Sequence, residues 1–576
     1  MKPFIICLLS LFALSGIVET VHSETQICSP SPKREVRAVW LTTIGGLDWP
    51  KSYARSNNGI TRQKEQLTQL LDQLQADGIN TILLQTRIRS TVIYPSDIEP
   101  WDGCLSGRPG VSPGYDALQF AVDECHKRGM ELHAWVVCMP ICSKALARQL
   151  GRKALPLRHP KLCRSTGDGW MMDPGVPETA RYLANICREI VQKYDVDGIN
   201  LDYIRYPEKE ISFNDNATYR RYGQGSEKAS WRRNNITRCV REIHRAVKNL
   251  KPWVRVSASP VGKHADLTSY SSYGWNAYDA VYQEAQEWMR EGLVDMLLPM
   301  MYFRGNHFYP FAYDWKLSDE GRILVPGLGI YFLDRREKDW SFDVIARELN
   351  FTRTIGCGGQ AFFRSSFLTA NTKGIEDYLR TFFYAAPKSL TPALTWEDSI
   401  APSAPSNPIW EMKKGNIRLE WDEAYDPTPG DSGLCYNIYR SRSWPVDTNN
   451  AQCLIRIRHK GTNFSLFDPI SAFSPTWYAV RAVDRYGNEG PATIFGPDPE
   501  KGYAIVSTRE KERLKLPPTP LRPIEVCDAE GRMLIRITST DSVADISTLT
   551  PGLYRMRMPG RKKNTYHAMG VFLKEP

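Results

Sequence analysis

The chain has 576 residues, 42% of them hydrophobic and 24% charged, which is the make-up of a folded multi-domain protein and excludes a largely disordered chain. The net charge of +10 comes with no Lys/Arg run and no basic–aromatic motif, so nothing points to nucleic acid; a diffuse basic surface fits an anionic envelope or polysaccharide, and it fits plain solubility equally well. The first element, "MKPFIICLLSLFALSGIVETVHS" (1–23), carries a lysine, an apolar run and then small and polar residues, the pattern of a secretory signal peptide cleaved near Ser23. Cys7 is too early, and Cys28 too embedded in polar residues, for a lipid anchor. No later segment reaches ~20 apolar residues, so no stable membrane insertion is expected. The protein is expected to be exported, to the periplasm, the cell surface or the medium.

Residues 34–385 alternate short apolar strands with amphipathic helices. "REVRAVWLTT" predicts a strand and "RQKEQLTQLLDQLQADG" a helix ended by Gly78. "INTILLQTRI" and "MELHAWVV" are strands flanking the helix "YDALQFAVDECHKRG". After an excursion come the helix "PETARYLANICREIVQKY" and the strand "VDGINLDYI". "VRVSASP", "VDMLLPMMYF", "ILVPGLGIYF" and "GGQAFFRSSF" complete eight strands, with "AYDAVYQEAQEWMREG" and "SFDVIARELNFTRTIG" among the helices between them. Strands nearly all followed by helices imply a parallel sheet, and eight units imply an α/β fold of the (β/α)8 TIM-barrel type with insertions. The rival, an open doubly wound sheet, lacks its Gly-rich phosphate turn after the first strand.

A Pro/Ser-rich linker spans 386–401, and 402–497 reads as an all-β domain. Trp421, Tyr439 and Tyr478 with the closing "AVDRYGNEGPA" resemble a fibronectin type III domain. Residues 503–576 form a small β module with Gly turns. Its order "D-x-x-G-R … L-x-x-G-x-Y" resembles bacterial C-terminal secretion-sorting tails, and an ordinary β module reads as well. Twelve of the thirteen cysteines follow the signal, without CxxC pairing. Cys125, Cys187 and Cys239 sit in helical patterns as buried thiols; Cys138 with Cys142, and Cys435 with Cys453, are the disulfide candidates.

The stretch "DVDGINLDYIRYP" (195–207) places carboxylates in apolar company. In a barrel strand alternate side chains face the interior and the helices. Ile199 and Leu201 then face helices, while Asn200 and Asp202 face inward, Asp202 at the C-terminal end where barrel enzymes build their sites. Asp197, at the other end, reads as structural. Matching equipment at other strand ends is Gln85, Arg87, His133, Trp135, Arg205, Tyr302 and Tyr331, with the eighth strand ending near Arg364. Trp101, Trp135 and Trp170 are candidate platforms for sugar rings, or core residues. Asp173 precedes a helix start and reads either as a site carboxylate or as an N-cap. His126 and His133 in "HKRGMELH" match no zinc signature, so no metal and no cofactor is expected.

The blocks "REVRAVWLTT…DWP", "INTILLQTRIRSTVIYPSDIEPW", "GYDALQFAVDECHKRGMELHAW", "MMDPGVPETARY", "VDGINLDYIRYP" and "VDMLLPMMYF" together resemble the family-ten-like glycoside hydrolases, over about residues 34–385. That resemblance implies a (β/α)8 barrel and an envelope or extracellular glycan as substrate, peptidoglycan glycan strands stripped of stem peptides among them. It implies a catalytic role for Asp202 and for Glu284 of "VYQEAQEW". Where the family has a Gly-Asp pair ahead of "YPS", this chain has Ser90 and Thr91. Glycoside hydrolysis generally uses two carboxyl groups. Asp202 is the expected nucleophile or base, Glu284 the first choice for the acid and Asp173 the second; with an N-acetylated sugar the substrate's acetamide could instead replace the nucleophile. The alternative is a non-catalytic glycan-binding protein that kept the barrel and its aromatic groove.

Overall fold

The computed structural model describes residues 31–413, 415–428, 433–472, 475–497, 509–515, 523–538, 543–559 and 566–575. The expected signal peptide lies outside them. The centre is a sheet of nine short parallel strands: β1 (Val36–Leu41), β2 (Thr81–Arg87), β3 (Glu131–Val137), β4 (Gly198–Asp202), β5 (Arg255–Ser259), β6 (Met296–Leu297), β7 (Ile323–Leu324), β8 (Gly327–Leu328) and β9 (Gly359–Phe362). The order is β7-β6-β5-β4-β3-β2-β1-β9-β8. β7 and β8 are one extended stretch parted at Val325–Pro326, where proline has no N–H to give the ladder. That stretch pairs with β6 on one side (Ile323 opposite Met296) and with β9 on the other (Gly327 opposite Ala361). The sheet therefore curls back on itself as a barrel rather than lying open.

The two faces of the strands separate as their period of two requires. Val39, Leu41, Ile82, Leu84, Leu132, Ala134, Ile199 and Leu201 pack outward into one large core with the helices. Ala38, Trp40, Leu83, Trp135, Met296, Ile323 and Ala361 pack inward. Two expected elements are broken. The stretch "AYDAVYQEAQEW" is not one helix but Ala277–Ala280 and Ala285–Arg290, with Tyr282 left-handed between them (φ +61°). The Gln283 side chain explains the break: it accepts from the Val261 N–H and donates to the Ile204 carbonyl, tying the segment to the neighbouring strand ends. "ILVPGLGIYF" leaves extended structure after Leu328 and turns as a short 3-10 helix at Ile330–Leu333, so Tyr331 stands beyond the strand. The excursion between β3 and β4 forms a three-stranded sheet in the order Pro140–Ser143, Gly169–Met172, Cys163–Thr166.

Beyond the barrel, a three-stranded sheet (Ser406–Lys413, Asn416–Asp422, Asn463–Phe467) and a four-stranded one (Leu454–His459, Cys435–Ser441, Trp477–Val483, Glu489–Phe495) are antiparallel. Leu419, Trp421, Tyr436, Ile438, Tyr478 and Val480 fill the space between them. Tyr439 points the other way, packs with Leu390 and donates its hydroxyl to Glu489 at 2.5 Å. A further five-stranded sheet includes Ile524–Cys527, Met533–Ile537, Gly552–Pro559 and Tyr566–Lys574. All cysteines of the described residues are free thiols, Cys138, Cys142, Cys435 and Cys453 included.

The antiparallel module is bolted to the N-terminal end of the barrel. Tyr486, with Leu394 of the linker, joins the barrel-interior cluster. Arg458 reaches from the module to Asp197 at 2.6 Å and Glu131 at 3.7 Å, and Arg485 pairs with Asp195 at 2.8 Å. Asp197, structural as expected, also accepts from the Leu132 N–H and from His126, each at 2.8 Å. Burial alone would raise its pKa, but the Arg458 charge and His126 outweigh burial and hold the carboxyl well below its ordinary range. Arg458→Met is accordingly expected to lower unfolding stability by about 3 kcal/mol, because two buried carboxylates lose a partner. Denaturant unfolding checks this; an unchanged midpoint would mean that water takes the arginine's place.

Candidate active site

Asp202 ends β4 and faces the barrel interior, 5% exposed, opposite Val137 of β3. The indole N–H of Trp135 donates to its Oδ2 at 3.0 Å, and the Tyr203 backbone N–H donates to its Oδ1 at 2.7 Å. Trp135 can do this because residues 135 and 137 of β3 share the inward face and stand against 200 and 202 of β4. Burial lifts the Asp202 carboxyl to about 6, against the downward pull of the Arg205 charge and of the two N–H donors. The chain turns sharply after it, with Tyr203 left-handed at φ +48°.

Aromatic groups and cations surround this carboxyl. The Arg205 guanidinium stacks over Tyr203 (4.5 Å) and lies near Trp275 (5.6 Å), while it pairs with Glu208 at 2.7 Å. Tyr302 meets Phe363 and Tyr331 at 5.4 and 5.7 Å, and Phe363 meets Trp40 at 6.1 Å. The Tyr302 hydroxyl is held well above its usual range first by burial and next by the Asp202 charge, which ties this aromatic cluster to the carboxyl. Tyr331 is pushed up to about 12 by burial. Asp202, Trp135, Arg205, Tyr302 and Tyr331 therefore gather at one mouth.

The remaining expected residues are occupied elsewhere. Arg87 is fully buried in a bidentate pair with Glu99 (2.8 and 2.7 Å) and also donates to the Val137 and Cys138 carbonyls. Gln85 accepts from the N–H groups of Thr43 and Ile44 at 3.0 and 2.9 Å, pinning the loop after β1. His133 lies deeper in the barrel, buried against Gly198 and facing Glu131 at 3.2 Å, so it belongs to the N-terminal half. Trp101 is half-buried against the outer core, and Trp170 likewise. Asp173 is neither exposed nor an N-cap, since the helix Pro177–Lys193 is preceded by Val176. Its oxygens accept from Thr218 (2.6 Å) and the Gly175 N–H (3.0 Å), with Arg164 at 2.9 Å, locking the excursion to the helix Asn216–Tyr222. Glu284 pairs with Arg233 at 3.5 Å on the helix Lys228–Lys248, and no contact among the described residues joins it to Asp202. Thr91 is buried and donates to Asp102 at 2.6 Å, and Ser90 is left-handed at φ +59°. Arg364 ion-pairs with Asp48 under the loop after β1.

Glu208, Tyr203, Trp275 and Phe363 were not among the expected residues. Glu208 had one usable signal, its place on the loop directly after β4 with Arg205 three positions before it. A cavity of about 260 Å³, lined by Glu131, Asp195, Trp253, Arg255, Arg458 and Arg485, lies between barrel and antiparallel module, at the end opposite Asp202. Among the described residues no helix is long and apolar enough to cross a membrane, and no group of three or more His, Cys, Asp or Glu side chains gathers to hold a metal ion.

The family model glycosyl hydrolase-like 10 matches residues 35–325. The glycosyl hydrolase YngK of Bacillus subtilis is 30% identical over 506 residues, 84% of this chain and 97% of that protein. The glycosyl hydrolase DigH of Escherichia coli K12 is 36% identical over 401 residues, 64% of this chain and 91% of that protein. Among solved structures, the glycoside hydrolase domain of PgaB (BpsB) from Bordetella bronchiseptica aligns over 60% of this chain and 98% of that domain, at 12% identity and a TM-score of 0.41. The match of the family model across the barrel strands up to β7, together with a relative aligned along nearly its whole length, makes this chain a member of the glycosyl hydrolase-like 10 family.

Proposed function

We propose that the protein is an exported glycoside hydrolase acting on an envelope or extracellular glycan, peptidoglycan strands without stem peptides among the substrates, with Asp202 as its central carboxylate. One observation carries this reading: a buried carboxyl at the C-terminal end of a barrel strand, gripped by an indole N–H and raised to about 6, beside a cluster of aromatic rings. Hydrolysis moves the oxygen of water to the anomeric carbon and a proton to the departing sugar oxygen. Ionised Asp202 attacks the anomeric carbon or takes the proton of water. The aromatic rings stack on the C–H faces of sugars. Both oxygens of Asp202 accept N–H donors, which suits an ionised carboxylate. We assign the second carboxyl, the donor of the proton to the departing sugar oxygen, to Glu208, because the Arg205 it pairs with also acts on Asp202, whereas the partners of Glu284 and Asp173, Arg233 in one case and Arg164 with Thr218 in the other, are not shared with Asp202. The antiparallel module, read as fibronectin type III-like, serves as a fixed base for the barrel.

The pH dependence follows with a definite sign. A nucleophile or base must be ionised, so kcat/KM is expected to fall about tenfold per pH unit as pH drops below about 6, the value to which burial lifts Asp202. A pH–rate profile on an aryl glycoside measures this. Activity that rises on acidification and disappears above about 6 would make Asp202 the proton donor instead. The commitment of Glu284 to Arg233 is the observation that favours the second reading, a glycan-binding protein without turnover.

A further inference from the structure

Just past β5, Lys263 is buried, 3% exposed, and it forms no ion pair with any carboxylate among the described residues. Its ammonium instead donates to Nδ1 of His307 at 2.9 Å and sits over the rings of Phe303 (4.6 Å) and Phe311 (5.0 Å). A lysine carries three donors and no acceptor, so the imidazole nitrogen that it meets is the acceptor, and the His307 proton resides on Nε2. Lys263 extends from the loop after β5 and His307 from the loop after β6; both loops belong to the C-terminal rim that also bears Asp202. His307 in turn faces the ring of Tyr273 at 5.5 Å.

Tyr273 is the second half of the arrangement. It is 82% exposed and stands left-handed at φ +55°, a conformation that costs a bulky residue free energy. The same loop presents Trp275, which faces the Arg205 guanidinium. A strip of rings and cations thus runs along the rim from Tyr203 and Arg205 by way of Trp275 to Tyr273, His307 and Lys263. An exposed ring suits the face of a sugar. A buried ammonium that touches no carboxylate and feels Asp266 only from beyond ion-pair distance, set behind an imidazole N–H, suits an anion attached to that sugar, since a charge-assisted hydrogen bond to a carboxylate is about twice as strong as a neutral one.

We propose that Tyr273, His307 and Lys263 form a rim subsite for a carboxylate-bearing sugar, which selects acidic glycan strands over neutral ones. The proposal rests on the glycan-binding half of the function given above and not on turnover. The sugar stacks on Tyr273, and its carboxylate accepts from His307 Nε2–H, with the Lys263 charge behind it.

The test uses the full chain carrying Asp202→Asn, so that binding is read without hydrolysis. Dissociation constants are measured by calorimetry for peptide-free peptidoglycan strands, whose muramic residues carry a lactyl carboxylate, and for the same strands after reduction of that carboxyl. The acidic strand is expected to bind about tenfold or more tightly, with a preference that weakens as salt rises. Adding Lys263→Met is expected to bring the ratio close to one, and Lys263→Arg to retain most of it. Equal affinity for both strands before any change at Lys263 overturns the proposal even if Lys263→Met fails to fold. A ratio that survives in Lys263→Met overturns it as well. If the wild type cleaves nothing and yet shows the lysine-dependent ratio, the subsite stands and the hydrolase reading falls.

Discussion

Asp202→Asn is expected to reduce glycan hydrolysis by about a thousandfold or more while leaving the fold intact. The amide nearly matches the carboxylate in shape, and its oxygen still accepts the Trp135 indole N–H at the place where Oδ2 now does so. It cannot attack, cannot take a proton and carries no charge toward an oxocarbenium-like transition state. On stability two effects oppose each other. The Tyr203 N–H faces the other oxygen of Asp202 at 2.7 Å, and an amide nitrogen there leaves it unpaired. Against that loss, the native carboxyl has a folded-state pKa raised to about 6 from 3.8, so the folded state holds the proton longer, and the native stability falls as pH rises through that window. The variant is free of that penalty above about 6. Its melting temperature is therefore expected to lie within a few degrees of the wild type at neutral pH. Kinetics on an activated aryl glycoside beside calorimetric binding read the two halves separately; full activity in the variant would make Asp202 a structural residue.

Arg87→Met carries the second large effect, and it falls on stability. Arg87 and Glu99 are 0% and 1% exposed at the side chain and are joined by two hydrogen bonds. Without the guanidinium, Glu99 retains the Tyr182 hydroxyl at 3.0 Å, and the carbonyls of Val137 and Cys138 lose their donor. Removing one partner of a buried pair costs about 3–5 kcal/mol, because the other charge stays buried. The damage reaches the site through one link, since the Cys138 N–H donates to the Asp202 carbonyl at 2.8 Å. The double change Arg87→Met with Glu99→Leu is expected to recover part of the loss, since it leaves no orphaned charge. Unfolding midpoints of the three proteins check this. A raised KM with unchanged stability in Arg87→Met would return Arg87 to the role of substrate contact.

These two residues also show what the sequence could and could not reveal. Asp202 was legible because two independent regularities met on it: the period of two within a strand buried on both faces, and the placement of chemistry at C-terminal strand ends in barrels. Trp135 follows from the same regularity on the neighbouring strand. Arg87 and Gln85 obey the identical pattern, yet they face partners supplied by distant chain, Glu99 in one case and the Thr43–Ile44 backbone in the other. Strand position predicts the direction of a side chain and not its occupancy. Glu284 stands apart from Asp202 for a different reason. The apolar spacing of "AYDAVYQEAQEW" suits a continuous helix, and only the side-chain bonds of Gln283 to Val261 and Ile204 break it. Lys263 gave no signal at all, since a lone lysine in a loop is ordinary until its burial against His307, Phe303 and Phe311 becomes visible.

The central claim is that this rim hydrolyses glycan through Asp202, and product mass tests it most directly. The protein is incubated with peptide-free peptidoglycan strands and with a panel of neutral polysaccharides, and the products are weighed by mass spectrometry. Shortened strands, each cleavage adding one water, are predicted for the wild type on at least the acidic strands and for none of them with Asp202→Asn. Intact strands after prolonged incubation with a wild-type protein that binds them would contradict the claim and leave a glycan-binding protein in its place.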